Sequence, residues 1–303
     1  MKQLALIGST ASGKSNLSLS LALEYNALIL SIDSLSIYKE IDIASAKPSY
    51  DELASIEHFG INCLAPNETA TVFTFINEYH RAYEAATLQK KNLILVGGSS
   101  FYLKSMIDGL SYVPQISDET KCVAAEILGN LEEAHHLLSQ IDPSTMSKIT
   151  PNDSYRIEKM LHLYLQTSTP PSQWFEAHPP KPIITNCPIL NIEIERPLLR
   201  ERIAIRTQKM VQLGLIDEVA QLERLYGRAP NSMKAIGIIE TLEFLDGKID
   251  KRVLIEDIST HTTQLAKRQQ TFNSNQFEYV TNGSVEELYK IAKHILHSRH
   301  PRA

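Results

Sequence analysis

Short, continuously apolar runs alternate with helical patterns in the N-terminal third of the chain. The apolar runs cover 3–7, 27–32 and 93–96, and the helical patterns cover 16–25 and 72–90. Continuous apolar runs of this length are typical of strands that are buried on both faces. Strands that alternate with helices predict βαβ units, and therefore a parallel sheet.

A different pattern occupies the middle of the chain. From 118 to about 169 every segment has a helical pattern, and no convincing strand occurs there. Proline clusters at 170–171 and 179–182 then indicate a boundary. The run 189–195 predicts a strand that returns to the sheet. The later pattern predicts helices at 198–213, 215–226, 234–246 and 251–272, a strand at 277–280 and a helix from Ser284.

We therefore predict a core formed by 1–117 and 183–303, interrupted by a helical insertion at 118–182. The length of 303 residues also favours two domains of ~150 residues each. With 43% hydrophobic and 21% charged residues, the composition excludes disordered and collagen-like proteins. The net charge of −5 does not point to nucleic acid, although an acidic protein can carry a local basic groove.

The cysteines and the hydropathy of the chain indicate the cellular compartment in which the protein is expected. The three cysteines are widely spaced and form no Cys-x-x-Cys pair, which favours thiols in the reducing cytoplasm. No apolar run approaches the ~18 residues of a membrane span, so we expect no membrane partner.

The segment GSTASGKS, residues 8–15, matches the pattern G-x-x-x-x-G-K-[ST] of a P-loop. Glycines allow backbone N–H groups to converge on phosphate oxygens, and the helix that follows adds the positive end of its dipole. Lys14 adds a full charge, and the Ser15 hydroxyl can bind Mg²⁺. The predicted phosphate-binding residues are Gly8, Ser9, Thr10, Ala11, Ser12, Gly13, Lys14 and Ser15. The fold class is then α/β, a P-loop NTPase-like parallel sheet core with an all-helical insertion domain.

A carboxylate stands where the second predicted strand ends. A hydrolysing NTPase needs an acidic residue at the end of a core strand, and ALILSID supplies Asp33. This position lies beside the first βα loop, next to the expected phosphates. Asp33 is therefore a candidate general base or metal ligand, and a loop or capping aspartate is the alternative.

The residues around Asp33 resemble a known family. Residues 33–48, DSLSIYKEIDIASAKP, resemble the signature DSxxxYxxxDIGTAKP of the tRNA dimethylallyltransferases, also called tRNA isopentenyltransferases. The resemblance extends in the same order from residue 4 to about 280. Its further blocks are GSTASGKS, VGGSSFYLKSMIDGLSYVP, PNDSYRIEKML, RERIAIRTQKMVQLGLIDEV, KAIGIIETLEFLDG and QLAKRQQTF. The departures from the family pattern are Ser9, Ser99, Ala44, Ser45, Lys159, Ile238 and Phe272-Asn273-Ser274.

The resemblance implies transfer of a dimethylallyl group from dimethylallyl diphosphate to the exocyclic amine of the adenosine 3′ of the anticodon in tRNA. Asp33 matches the family's general base, and Ser99 matches a hydroxyl that contacts substrate or caps a helix. Arg202 and Arg206 match diphosphate-binding arginines, of which we favour Arg206; without the family, a solvated pair is the alternative. The implied catalytic residues are Asp33, Lys14, Ser99 and Arg206, and the implied cofactor is Mg²⁺.

The resemblance also implies contacts with the tRNA anticodon stem-loop. They fall in the signature after Asp33, in the helical insertion and in the late helices. The implied tRNA-binding residues are Asp33, Ser34, Leu35, Ser36, Ser99, Lys121, Tyr155, Arg156, Ile157, Glu158, Lys159, Lys234, Lys267, Arg268 and Gln269. For the last three residues, a solvated helix face is the alternative reading.

The sequence favours a cytoplasmic enzyme of this kind, which the resemblance implies to be a monomer, over three rivals. One is a non-catalytic P-loop binding module, which the retained Asp33 argues against. An isopentenyltransferase acting on a free adenine nucleotide shares the P-loop and the aspartate but does not need the RNA-facing blocks. A P-loop small-molecule kinase would instead place ATP at the same loop.

Overall fold

The computed structural model describes residues 1–297, and 298–303 of the predicted core lie outside the described part. One parallel six-stranded sheet has the order β3-β2-β4-β1-β5-β6. The strands are β1 (Gln3–Gly8), β2 (Ala27–Ser31), β3 (His58–Phe59), β4 (Asn92–Gly97), β5 (Ile189–Ile192) and β6 (Thr281–Gly283). The predicted α/β class is confirmed, and β1 lies inside the sheet between β4 and β5.

The described residues also form fourteen α-helices. In chain order they are α1 (Lys14–Glu24), α2 (Tyr50–Ser55), α3 (Val72–Leu88), α4 (Ser100–Asp108), α5 (Asp118–Leu128), α6 (Leu131–Ile141), α7 (Pro143–Met146), α8 (Ser154–Thr167), α9 (Pro171–Ala177), α10 (Arg196–Gln212), α11 (Leu215–Tyr226), α12 (Ile238–Leu245), α13 (Lys251–Gln276) and α14 (Val285–His297). A 3₁₀ helix spans Asn231–Lys234. None of these helices is both long enough and apolar enough to cross a bilayer.

The strands β1, β2, β4 and β5 are largely apolar and buried because helices cover both faces of the sheet. Leu4 and Leu6 of β1 are fully buried in a cluster to which α1 and α14 contribute. On α3, which packs against β2 and β4, Phe75 is fully buried and Tyr79 nearly so. The carboxyl ends of β1, β2 and β4 therefore meet at one edge of a rigid sheet, where the loops after them carry the candidate site.

The chain divides into two compact units. One comprises Met1–Ser105 together with the chain from Ile184 onwards, and the other is Met106–Ile183. The second unit thus begins before the predicted boundary at 118, because its two connecting segments bond to each other. The N–H of Ile183 donates to the Met106 carbonyl at 2.9 Å, and Leu110 forms an isolated bridge with Lys181.

The second unit is helical, as predicted, and has a core of its own. α5, α6 and α8 bury Ala124, Leu138 and Leu161, and Met146 of α7 joins the same cluster. Asn130 caps α6, and Asp153 caps α8 by accepting from the Arg156 N–H at 3.0 Å.

Three sequence predictions need correction. The segment 277–280 is not a strand; the edge strand β6 follows it, because Thr281–Gly283 are the residues in register with β5. The predicted helix 234–246 is interrupted, because the 3₁₀ helix ends at Lys234, Ala235 is extended, and Gly237 with φ 93° precedes α12. The short elements α2 and β3 were not predicted, since six and two residues show no periodicity.

Candidate active site

The P-loop joins β1 to α1, as its sequence predicts. Ala11 has φ 60° and Gly13 has φ 100°, so the loop turns twice through the left-handed region before the helix begins. For a residue with a Cβ this region costs about 1–2 kcal/mol. Successive N–H groups in such a turn form a concave anion-binding surface, and the N-terminus of α1 adds the positive end of its dipole.

Two hydroxyls inside the P-loop lack partners. Ser9 and Ser12 are each 1% exposed, and within residues 1–297 neither Oγ has a hydrogen-bond partner. A buried polar atom without a partner is costly, and such atoms call for an explanation. Phosphate oxygens would accept from hydroxyls in this loop, so the orphaned atoms fit a phosphate-bearing ligand.

Lys14 carries the positive charge of the P-loop in a buried setting. Its Nζ donates to the Ser9 carbonyl at 2.9 Å. Burial lowers the pKa of Lys14 to about 8, partly opposed by the negative charge of Asp33, and Arg206 lowers it further. Burial also lowers the pKa of Arg206, and Asp33 opposes that shift. Two cations and one carboxylate therefore share this site, which leaves excess positive charge for an anion.

Asp33 follows β2 and holds a tight turn with one oxygen. Its Oδ1 accepts from the N–H groups of Leu35 at 2.9 Å and Ser36 at 3.0 Å. Its Oδ2 has no hydrogen-bond partner in the described chain. Ser99 reaches the same turn, because its hydroxyl accepts from the Ser34 N–H at 3.1 Å. The carboxylate is thus fixed in orientation while one oxygen stays available to a proton donor.

Both arginines predicted to bind diphosphate lie against the P-loop. From α10, Arg206 Nη1 donates to Thr10 Oγ1 at 3.2 Å, and Arg202 Nη1 lies 3.4 Å from the Ser12 carbonyl. Arg206 is partly buried, whereas Arg202 is exposed. This difference supports the preference for Arg206.

Gln269 lies in the site rather than on a free helix face. Its Oε1 accepts from the Thr10 N–H at 2.8 Å, and its Nε2 donates to the Gly98 carbonyl at 3.0 Å. The sequence implied a tRNA contact here, and the structure instead uses both ends of this carboxamide within the protein. A direct tRNA contact through Gln269 would have to use the second N–H or the second lone pair of its carboxamide.

Two cavities meet at these residues. One has a volume of about 270 Å³ and the other about 510 Å³, and Thr10, Lys14, Asp33 and Arg206 line both. The smaller cavity is also lined by Lys47 and by five serines, Ser15, Ser18, Ser31, Ser36 and Ser45. The larger one has apolar walls that include Phe101, Tyr102, Ile203, Met210, Ile258 and Leu265. The sequence did not predict this apolar set, since its members look like ordinary helix core residues.

The loop from Asp33 to Lys47 is held by two charged side chains that sequence reasoning did not single out. Glu218 of α11 accepts from three consecutive N–H groups, those of Asp42, Ile43 and Ala44, at 2.9, 2.7 and 2.9 Å. The Lys47 ammonium is nearly buried and donates within its own loop and to the Asn62 side chain. The only sequence signal for Glu218 was its place in a family block.

The remaining tRNA candidates fall on both units. In the first unit Lys234, Lys267 and Arg268 are exposed, and Lys234 also lines the larger cavity. In the second unit the exposed candidates are Lys121, Tyr155, Arg156 and Lys159, with Glu158 partly exposed. Arg156 pairs with Asp153 at 2.6 Å, and Lys121 pairs with Asp118 at 2.7 Å.

Two of the tRNA candidates are buried. Ile157 is fully buried in the core of the second unit, so its side chain cannot contact RNA and its implied role is wrong. Ser36 is 5% exposed and its hydroxyl bonds to that of Ser31 at 3.2 Å, which gives it a structural role.

The residues present fit a Mg²⁺ ion that takes most of its ligands from substrate. Ser15 and Asp33 line the same cavity as Lys14 and offer oxygen atoms, the ligands that Mg²⁺ prefers. The described residues contain no cluster of three or more metal-binding side chains. The ion would therefore complete its shell with phosphate oxygens and water, as it usually does with phosphate substrates.

Comparisons by sequence agree with one another. A family model described as IPP transferase matches residues 36–276. A tRNA dimethylallyltransferase from Sulfurimonas denitrificans is 54% identical over 291 residues, covering 96% of this chain and 98% of the relative. One from Sulfurovum sp. is 53% identical over 292 residues, covering 96% and 97%.

Solved structures show the same fold. The full-length tRNA isopentenylpyrophosphate transferase of Bacillus halodurans superposes with a TM-score of 0.71 at 27% identity, over 97% of this chain and 96% of that one. A eukaryotic dimethylallyltransferase acting on tRNA superposes with a TM-score of 0.82 at 24% identity, over 96% of this chain and 76% of that one.

Proposed function

Because the chain belongs to the IPP transferase family, whose relatives are tRNA dimethylallyltransferases, we propose the following reaction. The chain transfers a dimethylallyl group from dimethylallyl diphosphate to the exocyclic amine of the adenosine 3′ of the anticodon in tRNA, and it releases diphosphate. The main observation behind the proposal is that two cavities share four lining residues, Thr10, Lys14, Asp33 and Arg206. A group transfer needs two substrates to meet at one set of catalytic residues, and this arrangement allows it.

The P-loop side suits the diphosphate of the donor. Ser9 and Ser12 supply buried hydroxyls without partners, and Lys14 and Arg206 supply charge. Charge builds on the diphosphate as its bond to the allylic carbon breaks, so cations fixed here favour the transition state over the ground state. Mg²⁺, held through Ser15, would supply further neutralisation when bound.

Asp33 is placed to accept the proton. The adenine amine attacks C1 of the dimethylallyl group, the bond from C1 to the diphosphate oxygen breaks, and the amine must lose a proton. Asp33 Oδ2 receives it, while Oδ1 remains bonded to the turn. General-base help of this kind is worth about 10²–10⁴ in rate.

The apolar walls of the larger cavity suit a base taken out of the RNA stack. An adenosine in a stem-loop must leave the stack before its amine can reach a donor. Phe101, Tyr102 and Lys234 all line that cavity. Exposed cations on α8 and α13 would hold the phosphates around the loop.

We expect a single copy to be active, as the family resemblance implies. We place the reaction in the cytoplasm, where tRNA is found and where the three free cysteines remain thiols.

The test is mass analysis of nucleosides after the chain, Mg²⁺ and dimethylallyl diphosphate are incubated with an anticodon stem-loop RNA. We expect a dimethylallyl adduct on one adenosine, and none with Lys14→Ala. Adducts on free adenine nucleotide but not on RNA would favour the nucleotide isopentenyltransferase. Phosphate transfer or release from ATP, without adducts, would favour the kinase.

A further inference from the structure

A groove lined by cations lies between α10 and α13 in the first unit. Its volume is about 220 Å³, and its lining residues are Arg196, Leu199, Arg200, Thr263, Gln264, Lys267 and Gln270. A second cavity, of about 580 Å³, shares Gln264 and Lys267 with the groove and adds Arg268 to the same surface. The two helices pack together through Leu199 and Ala266, which belong to one buried cluster, so the backbone that carries these cations is held in place.

The four cations of this surface have no partners of opposite charge. Arg196, Arg200, Lys267 and Arg268 are exposed, and none of them forms an ion pair within residues 1–297. Among the described residues, no acidic side chain lines the groove or the second cavity. Cations that share a concave surface without carboxylates create a positive potential, so the surface favours an anion with several charges.

The spacing of the two arginines suits a chain of phosphates. Arg196 and Arg200 are four residues apart on α10, so they lie on one face of the helix, about one turn of 5.4 Å apart. Lys267 lines the groove from α13. A guanidinium binds phosphate through two parallel N–H donors. A single small anion would leave part of this charge unneutralised, whereas successive phosphates of a nucleic acid backbone would pair with each arginine.

The groove and the larger cavity of the candidate active site lie on opposite faces of α13. The helix lines that cavity with residues at helical spacing, Ile258, Thr262, Leu265 and Gln269. At 3.6 residues per turn, the groove residues Thr263, Gln264, Lys267 and Gln270 point to the other side of the helix. A helix is about 10–12 Å across with its side chains. An RNA whose adenosine enters the larger cavity would therefore reach the groove with phosphates that are close to that adenosine in the strand.

We propose that the groove between α10 and α13 binds the RNA backbone near the target adenosine, with Arg196 and Arg200 on successive phosphates. The inference rests on the proposed function, and it adds two arginines to which the family resemblance gave no role. RNA fits better than an anionic membrane, because the one apolar residue of the groove, Leu199, is buried. A helix that lies on a membrane inserts exposed apolar side chains instead.

The experiment measures binding of the full chain to anticodon stem-loop RNA over a range of salt concentrations. Arg196→Gln and Arg200→Gln should each lower the log–log salt slope by about 0.7 and weaken binding about fivefold near 0.1 M salt, the contribution of one phosphate contact. The matched control is Arg224→Gln on α11, because Arg224 is exposed and lines neither the groove nor the two cavities. It should change neither quantity.

A second measurement tests whether the arginines contact the RNA backbone itself. Single phosphates on either side of the target adenosine are replaced by neutral methylphosphonates, and each RNA is bound to the wild type and to the double variant R196Q/R200Q. At the contacted phosphates, neutralisation should weaken wild-type binding about fivefold and leave binding to the double variant unchanged. All variants should keep wild-type affinity for a donor analogue whose bridging oxygen is replaced by sulfur, which shows that they are folded.

Two results would overturn the inference while the proposed function stands. One is a double variant with wild-type RNA affinity and salt slope, in a protein that still prenylates the stem-loop. The other is a double variant that loses binding to vesicles of anionic phospholipid but not to RNA, which would assign the groove to a membrane. A wild type that neither binds nor prenylates the stem-loop would count against the proposed function and the inference together.

Discussion

The role proposed for Asp33 follows from the different surroundings of its two carboxylate oxygens. Oδ1 is occupied by two backbone N–H groups, at 2.9 and 3.0 Å, and this fixes the turn after β2. Oδ2 has no partner in the described residues and faces a site that also holds Lys14 and Arg206. The same carboxylate is therefore a structural acceptor and, in the proposed reaction, the base, and a substitution can separate the two roles.

Asp33→Asn is expected to bind the donor analogue and stem-loop RNA while losing turnover by at least ~10²-fold, since the amide keeps an acceptor for the turn but cannot take a proton. Single-turnover rates measured beside Asp33→Ala check this. The alanine variant should lose the turn contacts as well and bind less well. A near wild-type rate in Asp33→Asn would remove Asp33 from the chemistry.

Lys14 gives donor binding a dependence on pH. Burial lowers its pKa to about 8, so in the free enzyme the ammonium loses its proton as the pH rises through that value. The bound anion needs the charged form. Affinity for the donor analogue should therefore be steady below about pH 8 and fall by roughly tenfold per pH unit well above it.

The control for this profile is Lys14→Gln, which has no proton to lose at this position. It should bind the analogue weakly at every pH and show no break near pH 8. A break that persists in Lys14→Gln would assign the titration to another group.

At the level of elements, the loop after β2 depends on a contact from α11. Glu218 accepts three N–H bonds from Asp42, Ile43 and Ala44. In Glu218→Gln one acceptor becomes an NH₂ group that faces a backbone donor. We expect the free energy of unfolding to fall by about 1–3 kcal/mol, the usual cost of stranding such a group.

Asp217→Asn is the matched change on the same turn of α11, because Asp217 is exposed. It should alter the free energy of unfolding by less than about 1 kcal/mol in a denaturant titration. Equal effects from the two variants would mean that the three N–H bonds contribute nothing specific.

We expect the exposed cations on α8 and α13 to contribute to RNA affinity but not to the affinity for the donor analogue. Lys159→Glu and Arg268→Glu are expected to weaken stem-loop affinity and flatten its salt dependence by about 0.7 in log–log slope per lost phosphate contact. Donor-analogue affinity without RNA should stay the same. Lys290→Glu on α14, an equal change of charge at an exposed residue, should leave RNA binding unchanged.

No change in RNA affinity or salt slope for either reversal would contradict a role for α8 and α13 in RNA binding. The free-nucleotide transferase would then become the better account of the site.

The sequence predicted well those elements that are specified by residues close together in the chain. The P-loop, Asp33 and the early strands follow from short motifs and apolar runs, and the structure places them together at one sheet edge. Gln269 and Glu218 could not be assigned in this way, because their partners lie 259 and up to 176 positions away. Similarly, β6 is chosen by register with β5 and not by the β-forming side chains of 277–280.

At the scale of the whole molecule, the helical insertion is a compact unit with a hydrophobic core of its own. Its core is built from its own helices, and its two connecting segments bond to each other through Met106 and Ile183. The first unit contains every residue that lines the two cavities. The candidate catalytic residues thus lie in the first unit, and we predict that the exposed cations of α8 give the second unit a role in RNA binding.

The central claim is that donor and RNA adenosine meet at Lys14 and Asp33. Mass analysis of nucleosides from stem-loop RNA incubated with dimethylallyl diphosphate tests it most directly, with wild type, Lys14→Ala and Asp33→Asn in parallel. The account predicts a dimethylallyl adduct on the adenosine 3′ of the anticodon with wild type, and at least ~10²-fold slower formation with Asp33→Asn. Unmodified RNA with the wild type, or equal yields from all three proteins, would contradict it.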